Sequence, residues 1–349
     1  MLSKVRLSRF RCFEALEFFP GLGRTYLVGS NAQGKTSILE AVCVLLRLQS
    51  PRTSQPSDMF LNGEGGFALS GMVGDTHLEC RQSQSGRSLQ LDSKPQSKPD
   101  DYLATARLTW FSNADLELVN GPGAARRRYL DFLGMQVLPG YRKVLRSYER
   151  ALRARNALLK DCRPRSEVDA FTPVLVEAGG VLLAARAKLI DDLTTDIAQA
   201  CIGISGGGDI LQVTYRPGCD GDFTEALAAS RGKEERLRQT VCGPHRDDLE
   251  LVLNGLSAAS FASEGQQRTI ALSLKIAQAR YLNSIHGVPP LLLLDDIFGE
   301  LDATRRNLLL EALPTGAQSI ITTTFLDWAQ SSEGESVFRL ESGKLTLKE

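Results

Sequence analysis

Gly29, Gly34, Lys35 and Thr36 stand at the spacing G-x-x-x-x-G-K-[ST], inside the stretch GSNAQGKTS. Residues of these types at this spacing can cradle a phosphate chain. The glycines let backbone N–H groups close around the oxygens, a lysine neutralises the β and γ oxygens, and the hydroxyl can ligate magnesium. Gly29, Ser30, Asn31, Ala32, Gln33, Gly34, Lys35, Thr36 and Ser37 are therefore the candidate nucleotide contacts, with Lys35 as the catalytic cation and Thr36 as a metal ligand. The alternative is a plain glycine-rich turn. The flanks favour the cradle: the apolar run TYLV reads as a strand that delivers the loop, and TSILEAVCVLL reads as a helix beginning at Thr36, its N-terminal amides aimed at phosphate.

A magnesium held by Thr36 needs an acidic partner. PPLLLLDDIFGELD supplies it, since four leucines read as a buried parallel strand ending in Asp295 and Asp296. Paired carboxylates at the end of an apolar strand are costly without a compensating cation. Asp295 would hold the metal directly or through water, and Asp296 is placed to orient or deprotonate an attacking water. An ordinary strand end capped by acids is the plainer reading. Most of the chain separates Lys35 from Asp295, so a large insertion lies between them.

Ahead of the acidic strand, FASEGQQRTIALSLKIAQARYL places Ser263, Gly265 and Gln266 before a helix with the apolar face Ile270, Leu274, Ala277 and Tyr281. This is either a second anion site without a lysine, facing the nucleotide of another subunit, or a simple N-capped core helix.

These residues must be positioned by two kinds of structure. The first hundred residues alternate apolar and polar positions between turns and predict mostly antiparallel sheet, interrupted by the helix after the cradle. From Ala124 to about Ala200 the spacing turns helical. Tyr141, Leu145, Tyr148, Leu152 and Leu159 predict one long helix, and Leu182, Ala185, Leu189, Leu193 and Ile197 a second, the pair broken near RPRSE into an antiparallel hairpin. Glycines at 203–208 end that texture, and ILQVTY and LELVLNG restore strand alternation. The stretches 93–101 and 231–239 read as exposed polar loops. The expected division is therefore 1–110 with 208–349 as one domain and 111–207 as a helical insertion.

The chain has 349 residues, 42% hydrophobic and 23% charged, with 41 basic and 41 acidic side chains. That balance excludes a generally basic coat, so a polyanion would have to meet a local patch. The best such patch is Arg126, Arg127 and Arg128, followed by Arg142, Lys143, Arg146, Arg150, Arg153 and Arg155 along one helix; the alternative is a solvated helical face. Contact with DNA there would be to the backbone and salt-sensitive. Seven scattered cysteines with no CxxC pair argue against a disulfide framework or a zinc site. The start lacks an apolar segment, and no run approaches the roughly 18 apolar residues that span a membrane. A cytoplasmic protein without a membrane partner is expected.

Together the phosphate loop, SEGQQ, LLLLDD and GELD resemble the ABC-type ATPases of the SMC class. RFRCF, SPRTS, FSNADLELVNGPGAARRRYLDF and CGPHRDDLEL bring the resemblance closer, to the RecF family of bacterial recombination mediators. The resemblance implies an α/β fold: an ABC-type P-loop ATPase head, with a mixed sheet lobe around a helix plus an antiparallel β lobe, and an inserted, mainly helical subdomain. It implies ATP and Mg2+ as cofactors and an ATP-dependent homodimer that binds DNA at single-strand gaps. RecR and RecO would help it place RecA, and a slow, DNA-stimulated hydrolysis would release the dimer. Ser263, Gly265, Gln266 and the GELD aspartate, Asp302, would complete the partner's nucleotide site. Arg11 would lie near the phosphates by analogy with SMC-class heads, or be a solvated arginine. Asp296 stands where transporter ATPases carry glutamate, and SIITTTF has no histidine at the switch position, which implies slow turnover. His245, in GPHRDD, is either a hydrogen-bonded turn residue or a sensor of nucleotide across the dimer. A transporter motor and a scaffold that binds nucleotide without turnover are the competing readings.

Overall fold

A computed structural model of the chain describes residues 1–326 and 335–348. It divides into two compact units, one of residues 1–114 with 278–349 and one of 115–277.

The first unit holds two six-stranded sheets. One is antiparallel, in the order Phe13–Phe18, Leu2–Phe10, Gly66–Val73, Thr76–Ser83, Gly86–Leu91 and Lys94–Pro95. Alternation decides which face is covered: Leu2, Val5, Leu7 and Phe10 are buried while residues between them face outward. The other sheet is mixed, in the order Lys344–Lys348, Ser336–Glu341, Arg24–Val28, Ser319–Thr323, Leu291–Asp295 and Leu108–Ser112. Its last five strands run parallel, which explains why LLLLD is apolar throughout rather than alternating: both of its neighbours are paired and both of its faces are covered.

Between the sheets lies the helix Lys35–Arg47, which packs on strands of both. It has no solvent face, because Ile38, Leu39, Val42, Leu45 and Leu46 cover its circumference and are all fully buried. The helix starts one residue earlier than the sequence suggests, at Lys35.

In the second unit the expected helical hairpin is present as Tyr141–Lys160 against Thr172–Ser205, with the short helix Arg165–Asp169 at the break. Tyr141, Tyr148, Leu175 and Leu182 form its seam. The unit extends well past the expected boundary at 207. The strand Leu211–Arg216 packs on the long helix and pairs with Asp248–Leu253, so the glycines after Ser205 mark a change of element rather than of packing unit.

Two other expectations differ. Residues 231–239 are not simply a loop, since Arg231–Leu237 is helical and Glu234 is fully buried, drawn in by Arg155. Among the described residues, the stretch Arg165–Ser205 is long and apolar enough to cross a membrane, its 18-residue apolar window having a mean hydropathy of 1.6. Leu175, Leu182, Leu189, Leu193 and Ile197 are nonetheless buried, and the buried Arg186 pairs with Asp131 and Asp247, so one face of this helix packs inside the unit.

Candidate nucleotide-binding site

The phosphate loop leaves the carboxyl end of the parallel strand Arg24–Val28, the edge where open α/β sheets bind ligands. Two glycines are sterically required. A Cβ on Gly29 would meet the Leu340 carbonyl oxygen at 2.5 Å, and Gly34, at φ +101°, is pressed against Cys12 and Phe13. Lys35 is buried and folds over its own loop, its Nζ donating to the carbonyl oxygens of Gly29 at 2.5 Å and Ser30 at 2.9 Å. Burial lowers its pKa, and the charges of Asp296 and Asp295 oppose that shift. Asn31, Ala32, Gly34, Thr36 and Ser37 line the same cavity of about 820 Å³ as Lys35. Gln33 turns elsewhere: its side-chain oxygen accepts the Ser342 amide, which leaves its backbone to serve the loop.

The acidic strand ends beside this loop. Thr36 Oγ1 donates to Asp295 Oδ1 at 2.8 Å, and Thr322 Oγ1 donates to the same oxygen at 2.9 Å. Burial raises the Asp295 pKa, the two hydroxyls pull it back, and neighbouring Asp296 pushes it up. The next residue, Asp296, sits at φ 52°, a left-handed conformation that Asp tolerates better than most residues. Its amide donates to Thr322 Oγ1 at 2.9 Å. Its carboxyl pKa is raised by burial, lowered by Lys35 and raised by Glu300. A hydroxyl and a half-buried carboxylate in contact form a hard oxygen pair suited to Mg2+, with the remaining ligands to come from phosphate and water. Bound there, the ion would neutralise charge developing on the phosphates. Asp296 lines the cavity as well.

Arg11 lines this cavity and is not a solvated surface arginine. Its Nε and Nη2 donate to Glu40 at 2.8 and 2.6 Å, and its Nη1 to the Asp58 carbonyl at 2.5 Å.

The family model of an AAA domain matches residues 4–109. The DNA replication and repair protein RecF of Rippkaea orientalis is 35% identical, covering 99% of each chain. That of Synechocystis sp. is 36% identical, covering 99% of this chain and 97% of its own. The chain belongs to the RecF family. A solved structure of the recombination mediator protein RecF-ATP in the RecFOR pathway superposes with a TM-score of 0.90 at 26% identity, covering 100% of this chain and 97% of that one. An Smc head bound to the C-winged helix domain of ScpA, at 14% identity and a TM-score of 0.55, shares the fold alone, so this chain has the fold of an Smc head.

In this RecF-family chain the other sequence candidates have clear local partners. Ser263, Gly265 and Gln266 lie in the unit 115–277, at the start of the helix Glu264–His286. Ser263 and Gln266 form a reciprocal capping box: Ser263 Oγ accepts the Gln266 amide at 3.3 Å, and Gln266 Oε1 accepts the Ser263 amide at 3.1 Å. Asp302 caps the helix Ala303–Ala312 by accepting the Arg305 amide at 2.9 Å. His245 is a half-buried turn residue. Tyr148 Oη lies 2.7 Å from its Nδ1 and the Thr240 carbonyl 3.0 Å from its Nε2, and burial lowers its pKa to about 4.

The basic patch is smaller than the sequence suggests. Arg126 is buried and bidentate to Asp248, with a third bond to the Leu118 carbonyl, so it is structural and not a DNA contact. Arg127 is half-buried and donates to the Asp247 carbonyl, and Arg155 is fully buried against Glu234. Arg142 is half-buried. Arg128 is exposed beside Glu117, while Lys143, Arg146, Arg150 and Arg153 remain as an exposed cationic row.

Two site residues escape sequence reasoning. Thr322 looks like one threonine among three, and Glu40 like a surface acid in a helix. The available signal for Glu40 is its setting in ILEAVCVLL, which leaves no polar face for a glutamate to occupy.

Proposed function

We propose that this chain binds ATP with Mg2+ in the cradle, dimerises on it, and in that form binds DNA at single-strand gaps, acting with RecR and RecO to place RecA in the bacterial cytoplasm. The observation that carries this is the convergence of Lys35, Thr36, Asp295 and Asp296 at one end of a parallel sheet, beside one cavity. Such an arrangement neutralises phosphates, holds a divalent cation and positions a water. The relatives' RecF name and the solved RecF-ATP structure support the rest. Ser263, Gly265, Gln266 and Asp302 would serve a partner subunit's γ-phosphate, which suits amides and a hydroxyl at a helix start without a lysine. Arg128, Lys143 and Arg146, with Arg150 and Arg153, are the residues we assign to DNA phosphates. Hydrolysis is weak in this reading, because the carboxylate at 296 is shorter than a glutamate and a threonine stands in place of a switch histidine; its stimulation by DNA is part of the RecF reading.

Sedimentation velocity with and without ATP–Mg2+, repeated with a gapped duplex, tests the reading. ATP should convert monomer to dimer, and the dimer should co-sediment with the duplex. A chain that stays monomeric and off the DNA with saturating ATP contradicts it.

A further inference from the structure

The helix Thr172–Ser205 buries one face in its own unit and leaves another in water, since only 28% of its 18-residue apolar window is buried. Val174 and Val181 are 45% and 50% exposed, and Gly180 and Ala184 are exposed beside them at helical spacing. The two adjacent glycines differ in kind. A Cβ on Gly179 would meet the Phe223 ring at 2.4 Å, so packing inside the unit requires a glycine there, whereas a Cβ on Gly180 would meet nothing within 4 Å. Glycine weakens a helix interior, and nothing inside the unit requires one at 180. Glu177 and Asp191, both exposed, stand within and beyond this strip, about 21 Å apart along the helix axis. Neither makes an ion pair among the described residues, while Lys188 between them is already held by Asp192 at 3.0 Å. The strip is an apolar floor with unpaired acids.

The other helix of the hairpin carries the opposite pattern. Lys143, Arg146, Arg150 and Arg153 are exposed along Tyr141–Lys160, a row about 15 Å long, and none of them makes an ion pair among the described residues. Glu149 offsets one charge, and the row stays net positive. Row and strip are both exposed in the folded hairpin, so the strip is not covered by its own chain's row. We propose that the strip is a docking surface for a second copy of this chain, whose cationic row lies across it. The aliphatic stems of the arginines cover Val174, Gly180 and Val181, and their charged heads meet Glu177 and Asp191. Long basic side chains suit such a floor, because the stem covers apolar surface while the head stays at a charged edge. Strip and row are different surfaces, so the contact is head-to-tail. One helix face falls short of the roughly 800 Å² per partner of a stable interface. The contact is therefore weak, screened by salt and independent of nucleotide. It does not rest on the assignment of the same row to DNA.

The test is sedimentation velocity of the full chain without nucleotide, over a range of concentrations at low salt and again at high salt. The parent's average sedimentation coefficient should rise with concentration at low salt and stay flat at high salt. Glu177→Lys with Asp191→Lys reverses the strip, and Arg146→Glu with Arg150→Glu reverses the row. Each double variant alone should associate at least about tenfold more weakly than the parent. Mixed in equal amounts they should associate again, because the row of the first and the strip of the second are unaltered and the two altered surfaces also complement each other. Double variants that associate like the parent, or a mixture no better than either alone, overturn the proposal. A parent that sediments as one species at every concentration, or whose association persists at high salt, overturns it as well, and these two readings decide the matter even if a variant does not fold.

Discussion

The hydroxyl of Thr36 donates to Asp295 at 2.8 Å although the two residues are 259 positions apart in the chain. Parallel pairing accounts for the meeting, since Asp295 is level with Thr322 and Thr322 with Leu27 on the strand that feeds the loop. If this pair is the metal site, Asp295→Asn should remove the magnesium dependence of nucleotide binding. Titrating a fluorescent ATP analogue with Mg2+ and with EDTA checks this. The parent should bind at least about tenfold more tightly with the ion, the order of a hydrogen bond to a charged group, and the variant about equally in both conditions.

Asp296→Asn keeps the backbone conformation, because Asn accepts φ 52° as readily as Asp. The amide cannot take a proton, so ATP should bind at near-parental affinity while phosphate release in a single turnover falls at least about a hundredfold, as expected on losing a general base. Release at the parental rate contradicts the role given to Asp296.

His245 ties stability to pH. Its folded pKa, about 4, lies below the ordinary 6.5, so between these values the unfolded chain binds the proton and the folded chain does not. The stability its neutral form contributes is complete above about pH 6.5 and is lost as pH falls toward 4, with an upper bound of roughly 3 kcal/mol. Thermal melts at pH 7 and 5 should show a larger drop for the parent than for His245→Asn. Equal drops would sink the assignment.

Arg155 and Glu234 form a pair in which both side chains are fully buried. Arg155→Met leaves that carboxylate with, among the described residues, only Arg165, at 3.3 Å, and should cost about 3 to 5 kcal/mol in urea unfolding. Arg155→Met with Glu234→Leu should recover most of the loss. A double variant as unstable as the single would show that packing, not charge, is at stake.

What the sequence discloses here follows how local each cause is. The phosphate loop and LLLLDD are legible because glycine, lysine and an apolar run ending in acids each have one economical use at that place. Arg126 and Arg155 are not legible, since an arginine on a helix reads as solvated until a carboxylate from far along the chain, Asp248 or Glu234, meets it. Glu40 and Thr322 are hidden for the same reason: their partners come from other strands and loops. The helical hairpin shows in its periodicity, whereas the unit boundary at 277 falls inside the continuous helix Glu264–His286, where composition does not change.

The most direct test of the central claim is equilibrium ATP binding with Mg2+ by the parent and by Lys35→Met. Lys35 is the buried cation of the loop, and methionine keeps its length without its charge. Loss of its charge-assisted bonds to phosphate, each worth about 1.5 to 3 kcal/mol, should weaken ATP roughly tenfold to a hundredfold or more and abolish ATP-dependent dimerisation. Unchanged affinity and unchanged dimerisation in Lys35→Met would show that the loop does not hold the nucleotide.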